Sequence, residues 1–403
     1  VRVLVPADIR FPLERANGVQ VLKTAAALAR GGVPTTLLVR QSDPRPTEAI
    51  LALYGIEPHP DFEVDRIGVL HRRGARLIPR ASFLLRAAAA SVASLRKGSL
   101  VYTRDLQLAD LLLALPLSPG GVVYEAHAVE REMYGERGIL YGTKERPEAS
   151  KLRRIGAREA RVWRRASAVV TTTRGIRDSL EAEHGGRENV LVLPNGCDLV
   201  PGRAFTPPAE GARILYAGQL YPWKGVDVLV EAVARIPEAR LVILGGIEAE
   251  PDLARIRALV EARGIAPRTE MPGTVPQARV AEEIARAAVV VVPFLRTTMT
   301  ERHTSPLKVF EAMAAGRPIV ATDLPASREV LEDGTDALLV PPGDPAALAS
   351  ALTRILADRQ LGTRLARAAF DKAPGYSWDS RAARLRELFE RLPVAAAGRR
   401  QEA

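Results

Sequence analysis

The stretch TERHTSPLKVFEAMAAGRPIVATD, residues 300–323, decides how the rest of the chain is read. Ser305 is a favourable N-cap, Pro306 has the φ suited to a first helical turn, and Gly316 can close a helix in the left-handed region. The run RPIVATD that follows is short, apolar and β-branched, which predicts a strand. Free N–H groups around Leu307 and Lys308 would point at an anion, because a helix start carries partial positive charge. Glu311 lies about a turn and a half into this helix, flanked by Phe310 and Met313. A carboxylate in so apolar a segment needs donors, which the vicinal hydroxyls of a ligand can supply; the other reading is an exposed helix Glu.

The same alternation runs outward in both directions. Beyond this unit, ARILYAG, ARLVILGG, AVVVVPF and DALLVPP read as strands, with GVDVLVEAVARI, DLARIRALVEARG, QARVAEEIARA and AALASALTRILAD as helices between them. In the first half, VRVLVPA, VPTTLLVR, SLVYTR, GVVYEA, SAVVTTT and NVLVLP read as strands, alternating with VQVLKTAAALARG, the 80s and 90s, LQLADLLLAL, KLRRIGAREARVWRR and GIRDSLEAEHG. Strand–helix order twice over predicts an α/β chain of two doubly wound domains with parallel sheets. The Pro- and Gly-rich LPNGCDLVPGRAFTPPAEGA, residues 193–212, marks the boundary. After Pro374, YSWDSRAARLRELFERL reads as a separate amphipathic helix. The predicted division is 1–198, 199–374 and a terminal helix in 375–393.

Composition agrees. At 403 residues, 47% hydrophobic and 26% charged, the chain is long enough for two or three domains and rich enough in apolar residues to bury their cores. No run approaches the ~18–20 apolar residues of a membrane span, and VRVLVPADIR reads as a strand followed by charge, not as a secretory signal. A lone Cys197 excludes an intramolecular disulfide and a Cys-based zinc cage, which fits a reducing cytoplasm, and the five His show no metal-ligand spacing.

The net charge is +10, and only seven of the 57 bases are Lys, so each retained Lys is of interest where a compact ammonium differs from a guanidinium. Residues 1–200 carry 30 bases against 22 acids, whereas residues 201–350 carry 16 against 19. From Arg66 to Arg104 there is no acid but nine bases: Arg66, Arg72, Arg73, Arg76, Arg80, Arg86, Arg96, Lys97 and Arg104. Interleaved with Leu77, Ile78, Phe83, Leu84 and Leu85, they suit docking onto an anionic membrane surface or an acidic acceptor, or equally form a solvated helix face. Nucleic acid is a weaker third option, because the segment has few aromatics, Phe83 and Tyr102, and no recognisable reading module.

A second informative loop is YAGQLYPWKGVDVLVEAV, residues 216–233. A strand ends at Gly218, a loop carries Gln219, Pro222 and Lys224, and a helix begins after Gly225. The carboxyl end of a parallel strand is where a ligand crevice is expected, and Lys224 would add a point charge for phosphate; the alternative is a solvated Lys in an ordinary loop.

Taken in order, GQLYPWKG, LVILGG, PGTV, VVVPF, SPLKVFEAMAAGRPIVATD, SREVLEDGTDALLVPPGDPAAL and the YSW helix resemble the retaining glycosyltransferases of family four, with the two-Rossmann-domain GT-B fold and its interdomain cleft. The likeness is close over 194–393. It is looser over 1–193, where NGVQVLKTAAALARGGV, YEAHAVER and ASAVVTTTRGIRDSL resemble the acceptor-side domain. The resemblance implies that Gly218, Gln219 and Lys224 face the diphosphate of a nucleotide-sugar donor. Ser305, Pro306 and Leu307 would lie at the phosphate-binding helix start, Glu311 would hold the ribose hydroxyls, and Val275 would lie beside the base. His127 would act near the reacting sugar, Gly18 would sit in a glycine loop facing the cleft, and the last helix would cross back to the first domain. No bound cofactor or obligatory metal is implied; the nucleotide sugar is a substrate, and the acceptor is a glycan or a lipid-linked hydroxyl. The cleft would open about the 193–212 linker, in a cytoplasmic enzyme of bacterial glycan synthesis that is peripheral to the membrane's inner face.

Two departures stand out. Gln219 occupies the place of a customary Arg, and His303 stands where the family's paired-glutamate motif has an acid eight residues before Glu311, so that His303 or Glu301 would meet the donor sugar. They leave open a non-catalytic partner subunit that binds nucleotide sugar or glycan. A nicotinamide-dependent dehydrogenase is disfavoured, since no GxGxxG follows any strand. His127 by itself is as readily a hydrogen-bonded core residue, and the resemblance is what singles it out.

Overall fold

A computed structural model describes residues 1–10, 16–70, 77–115, 121–143, 146–208, 210–248 and 250–393. The chain falls into two units: one of residues 1–131, 148–194 and 378–403, the other of residues 132–147 and 195–377.

The first unit is built on seven strands: β1 (Val3–Arg10), β2 (Thr35–Arg40), β3 (Phe62–Ile67), β4 (Leu100–Thr103), β5 (Val122–Ala126), β6 (Ala168–Thr171) and β7 (Val190–Val192). They lie in the order β3-β2-β1-β4-β5-β6-β7 and pair in parallel throughout. The second unit has β8 (Arg213–Ala217), β9 (Arg240–Leu244), β10 (Thr269–Gly273), β11 (Val289–Val292), β12 (Ile319–Thr322) and β13 (Leu338–Val340), in the order β10-β9-β8-β11-β12-β13 and again all parallel. In each sheet the strand order reverses once, between β1 and β4 and between β8 and β11, which places a ligand crevice beyond the carboxyl ends of those strands.

The central strands β4, β5, β6, β11 and β12 are buried along their whole length, because helices cover both faces. The sequence reading missed β3 and β10. Both are edge strands whose polar residues alternate with half-buried ones, FEVDRI in β3 and TEMPG in β10, so neither shows the continuous apolar run by which the others were recognised.

Two segments leave the unit that chain order would give them, the first against the sequence reading and the second, the terminal helix, as that reading expected. Residues 132–147, which sequence order leaves in the first domain, group with the second unit, where Leu140 enters the core cluster of Trp223 and Phe294. The terminal helix Trp378–Arg391 groups with the first unit. It carries Trp378, Ala382, Leu385 and Phe389 on its buried stripe, and the Phe389 ring meets Tyr102 edge-on at 5.6 Å.

Candidate functional site

In the second unit, β8 delivers its chain into a loop shaped by close backbone approaches. Gly218 N donates to Leu244 O at 2.9 Å, and the Tyr216 hydroxyl donates to Gln219 O at 2.5 Å. Gly225 has φ +65°, and a Cβ there would come within 1.9 Å of Pro293 O at the end of β11, so only glycine fits where the loop crosses the point of strand reversal. The preceding turn Pro222–Lys224 is a single 3₁₀ turn, and the helix Val226–Val233 begins directly after Gly225.

Lys224 is half-buried in this loop. Its Nζ lies 4.0 Å from the centroid of Trp223 and 4.4 Å from that of Phe294. Among the described residues no carboxylate pairs with it, and burial pushes its ammonium down to about 7. The ring faces return part of the lost hydration through cation–π attraction, but a counter-ion is still wanting. Beside it, the Gln219 amide oxygen is buried without a partner.

The helix Leu307–Ala315 differs in its start from the sequence reading. Its N-cap is Pro306, with extended φ and ψ of −78° and 122° and no capping side chain, and Ser305 lies before it. The Ser305 hydroxyl instead accepts from Asn195 N at 3.0 Å, while Asn195 Nδ2 donates to Ser305 O at 2.6 Å. Proline cannot offer a capping oxygen, so the first amides of this helix are left without a side-chain cap. Asn195, read from sequence only as a turn residue, therefore anchors the irregular segment entering that helix, and its own Oδ1 is buried and unpartnered. Glu311 already has one protein donor on each oxygen, with Lys308 Nζ hydrogen-bonded to Oε2 and Gln277 Nε2 to Oε1 at 3.2 Å, and each oxygen keeps a further lone pair. Val275 follows β10 and packs, half-buried, against the cluster that also contains Trp223, Phe294, Val309 and Phe310. The structure thus gathers Gly218, Gln219 and Lys224 on one loop and Ser305, Pro306, Leu307 and Glu311 on one helix start, around a shared core.

The two residues marked for sugar contact are engaged elsewhere. His303 ends a π-helical turn, Met299–His303, with its side chain wholly buried and Nε2 3.0 Å from Glu132 Oε2. Glu301 is paired with Arg296.

In the first unit, Gly18 lies not in a loop but in the first turn of the helix Ala16–Arg30, buried, with its N–H donating to Asn17 Oδ1 at 2.9 Å. His127 follows β5, one-fifth exposed, with Nε2 2.9 Å from Glu125 Oε1 in a close but bent contact. Burial foremost, then the Arg104 guanidinium, pushes its imidazole down to about 4, so it is neutral at physiological pH. Burial would push the Glu125 carboxyl up, but Arg381 chiefly, with His127 and Arg104, holds it well below the usual range.

At the carboxyl edge of β1 and β2, Arg10, Arg40, Gln41, Ser42, Asp43, Pro44 and Val69 line an open cavity of about 420 Å³. Arg40 is held in place by a two-point pairing with Asp8, and Arg80 bridges Asp8 and Asp105, each at 2.6 Å. The Arg45 side chain foremost, then its backbone N–H, lowers the Asp43 carboxyl to about 2.

The basic segment of the sequence divides accordingly. Arg66 donates to Asp43 O and Arg45 O at 3.1 and 2.8 Å, Arg80 joins the network just described, and Arg104 donates to Asn17 O and Gln20 Oε1 at 3.0 and 2.8 Å. Arg72, Arg73 and Arg76 lie outside the described residues. Arg86, Arg96 and Lys97 are exposed on or just after the helix Leu77–Arg96. Among the described residues no helix is long and apolar enough to cross a membrane, and no group of three or more His, Cys, Asp or Glu is placed to hold a metal ion.

Comparison with known proteins matches residues 211–358 to the family "Glycosyl transferases group 1" and residues 17–196 to "Glycosyl transferase 4-like domain". A D-inositol 3-phosphate glycosyltransferase of Xylanimonas cellulosilytica is 31% identical over 252 residues, 57% of this chain and 58% of the relative. A phosphatidyl-myo-inositol mannosyltransferase of Mycolicibacterium smegmatis is 32% identical over 217 residues, 51% of this chain and 53% of the relative. The chain thus spans little more than half the length of these curated relatives. Among solved structures, the sucrose-phosphate synthase of Thermosynechococcus elongatus superposes with a TM-score of 0.73 at 21% identity, over 96% of this chain and 98% of that one, which shows a common fold.

Proposed function

Because the chain belongs to the group 1, family four glycosyltransferases, we propose that it is a retaining transferase moving a sugar from a nucleoside diphosphate sugar to a hydroxyl of an anionic saccharide or lipid-linked acceptor. The observation that carries the donor half is Lys224: an ammonium between two aromatic rings, beside the crevice of β8 and β11, with no acidic partner among the described residues. A diphosphate is the counter-ion that such a site lacks. As the sugar–phosphate bond breaks, negative charge collects on the β-phosphate while the sugar becomes oxocarbenium-like. Fixed donors aimed at that charge are each worth roughly 10²–10³ in rate. Lys224 and the uncapped amides at Leu307 fill that role with no obligatory metal, and Gln219 contributes an amide in place of a second charge. Gly218 lets the loop backbone approach the donor, Val275 borders the base, and Glu311, held by Lys308 and Gln277, receives the ribose hydroxyls.

On the first unit, neutral His127 positions the acceptor hydroxyl or takes its proton. The relatives' names, inositol 3-phosphate and phosphatidyl-myo-inositol, are both those of phosphorylated polyols; in the cavity lined by Arg10 and Arg40, Arg40 is paired with Asp8 and Asp43 with Arg45, which leaves the Arg10 guanidinium for a charge of that kind. The exposed bases after Arg86 suit peripheral attachment to an anionic membrane surface.

The test is sugar transfer and donor binding measured together over a panel of UDP-, GDP- and ADP-sugars. Lys224→Ala should abolish transfer and weaken the donor that wild type prefers. Binding of donor without transfer or hydrolysis by the wild type would instead favour a non-catalytic partner subunit, and unchanged turnover by Lys224→Ala would overturn the donor-site assignment.

A further inference from the structure

The acceptor-side histidine is tied to the far end of the chain. Glu125, on β5 two residues before His127, has a side chain 2% exposed and is met by partners from three directions. Tyr102, on β4, donates its hydroxyl to Oε2, and Gln20, from the helix Ala16–Arg30, donates Nε2 to Oε1 at 3.0 Å. The third is Arg381 on the terminal helix, also 2% exposed, whose Nη2 pairs with Oε1. The remaining donors of Arg381 are fixed as well: Nε to Pro194 O at 3.1 Å and Nη1 to Thr24 Oγ1 at 3.2 Å.

We infer that Arg381 is a positioning residue for His127: acting through Glu125, it fixes the orientation and protonation state of the imidazole that meets the acceptor. The inference rests on the reading of His127 given above. Its physical basis is that a carboxylate in an apolar interior stays ionised only beside a fixed cation. An ionised Glu125 then faces Nε2 of His127 and favours the tautomer protonated there, which leaves Nδ1 as the lone pair able to take a proton from a hydroxyl. A planar guanidinium suits this position because it pairs with the carboxylate while its other N–H groups hold the chain at Pro194 and the helix at Thr24; a lysine ammonium would not reach all three.

The charged groups around His127 come from every packed element: Glu125 on β5, Arg104 after β4 and Arg381 on the terminal helix, with Tyr102 and Gln20 as neutral partners of the carboxylate. Of these, Arg104 and Arg381 oppose imidazole protonation and Glu125 favours it. Removing Arg381 lets the buried Glu125 carboxyl take up a proton, and the loss of the carboxylate's support for imidazole protonation outweighs the loss of the Arg381 charge, so the imidazole titration moves downward.

The experiment compares wild type, Arg381→Gln, Arg381→Lys and Arg386→Ala. Arg386 on the same helix donates to Gly31 O at 2.9 Å, outside this network, and controls for loosened docking of the helix. The His127 imidazole is titrated by NMR, and the pH dependence of kcat and KM for transfer is measured alongside. In Arg381→Gln the His127 titration and the acid limb of kcat should both move down, with kcat lowered roughly 10²-fold and donor KM unchanged. Arg381→Lys should restore the titration in part, and Arg386→Ala should leave both readouts at wild type. An imidazole titration unmoved in Arg381→Gln, or one that moves equally in Arg386→Ala, overturns the inference, as does a kcat that stays at wild type while the titration moves. Should the wild type transfer no sugar at all, the proposed function falls, while the NMR arm still decides whether Arg381 sets the state of His127.

Discussion

If Lys224 holds the donor diphosphate as proposed, donor binding should have a pH dependence that an ordinary lysine would not give. With its ammonium pushed down to about 7 from 10.5 by burial, about one free molecule in thirty carries the charge at pH 8.5, whereas an ordinary lysine is then still almost fully protonated. If only the charged form holds the diphosphate, the apparent affinity is reduced by that fraction, so a nucleotide sugar should bind up to about 30-fold more weakly at pH 8.5 than at pH 6, or about 2 kcal/mol. The diphosphate diester keeps a constant charge over this range, so the effect belongs to the protein. Because the depressed lysine charges less readily in the folded state than in the unfolded one, it costs stability below pH 7, and that cost fades as pH rises toward 10.5. Lys224→Met should therefore raise the melting temperature of the free protein at pH 6, by roughly 2–4 °C for each kcal/mol in a domain of this size, while removing stabilisation by donor. Calorimetric titration of the preferred nucleotide sugar at pH 6, 7, 8 and 8.5, in wild type and Lys224→Met, supplies both readings. An affinity equal at pH 6 and 8.5 in the wild type would refute the reasoning, because it would mean that the ammonium is either ordinary or not in contact with the diphosphate.

Other outcomes follow from the same geometry. His127→Ala should lower kcat for transfer by about 10²–10⁴ and leave the donor dissociation constant alone, a split read from steady-state kinetics and calorimetry. If the acceptor is a phosphorylated polyol as proposed, Arg10→Ala should raise KM for the phosphorylated acceptor, with inositol 3-phosphate as the probe, roughly tenfold and leave that for the unphosphorylated polyol unchanged; equal effects on both would remove the cavity from the acceptor site. Burial raises Glu159 from 4.5 to about 8, although the Glu130 and Arg131 amides donate to it at 2.6 and 3.3 Å. Its folded-state value lies above the unfolded one, so stability is full below about pH 4.5 and is lost as pH rises through 8; Glu159→Gln should flatten that decline in denaturant titrations. Gly225→Ala, which would place a methyl on Pro293 O, should destabilise the second unit by at least about 1–3 kcal/mol and weaken donor binding with it, as seen by thermal unfolding with and without nucleotide.

The two doubly wound sheets were legible because their central strands are apolar on both faces and so announce themselves without long-range information. The edge strands β3 and β10 were not, since an edge strand with one exposed face reads as a polar loop. At the site, Lys224 and its glycine were visible as a loop motif, but the rings that enclose the ammonium lie on either side of the sheet crossing and meet only in the fold: Trp223 is its neighbour in sequence, Phe294 is not. Ser305 was misread as a cap because serine before Pro-Leu is chemically able to cap, and nothing local reveals that Asn195, 110 residues earlier, claims its hydroxyl. Arg381 did leave a signal. In Trp378–Phe389 it sits on the stripe of Trp378, Ala382 and Leu385, and a lone Arg on an apolar helix face calls for a buried carboxylate. The carboxylate, Glu125, was equally present in YEAHA, but only the fold joins positions 256 residues apart.

The basic segment offers a prediction that the sequence overstated. Of its nine bases, Arg66, Arg80 and Arg104 are engaged inside the first unit, so their charge stiffens a loop, a cavity wall and the Gln20 side chain and is not available to a surface. What remains on the helix Leu77–Arg96 is a narrower feature. Ala81, Leu85, Arg86, Ala89, Ala93 and Arg96 are exposed within one face, Lys97 continues it, and Leu85 is 70% exposed. Such a face can lie against a bilayer, with the leucine toward the acyl boundary and the bases among anionic headgroups. At ~1 kcal/mol per base near a charged membrane, the three together supply about 3 kcal/mol, or roughly a hundredfold in partitioning. Arg86→Gln, Arg96→Gln and Lys97→Gln combined should therefore reduce flotation with phosphatidylserine-containing vesicles by about that factor and leave the small binding to neutral vesicles unchanged. The wild-type signal should also fall as salt is raised, because headgroup attraction is screened within a Debye length of ~8–10 Å. Transfer to a soluble phosphorylated acceptor should be untouched in the triple variant. A wild type that floats equally with anionic and neutral vesicles, or a triple variant that floats like wild type, would return these residues to an ordinary solvated helix face.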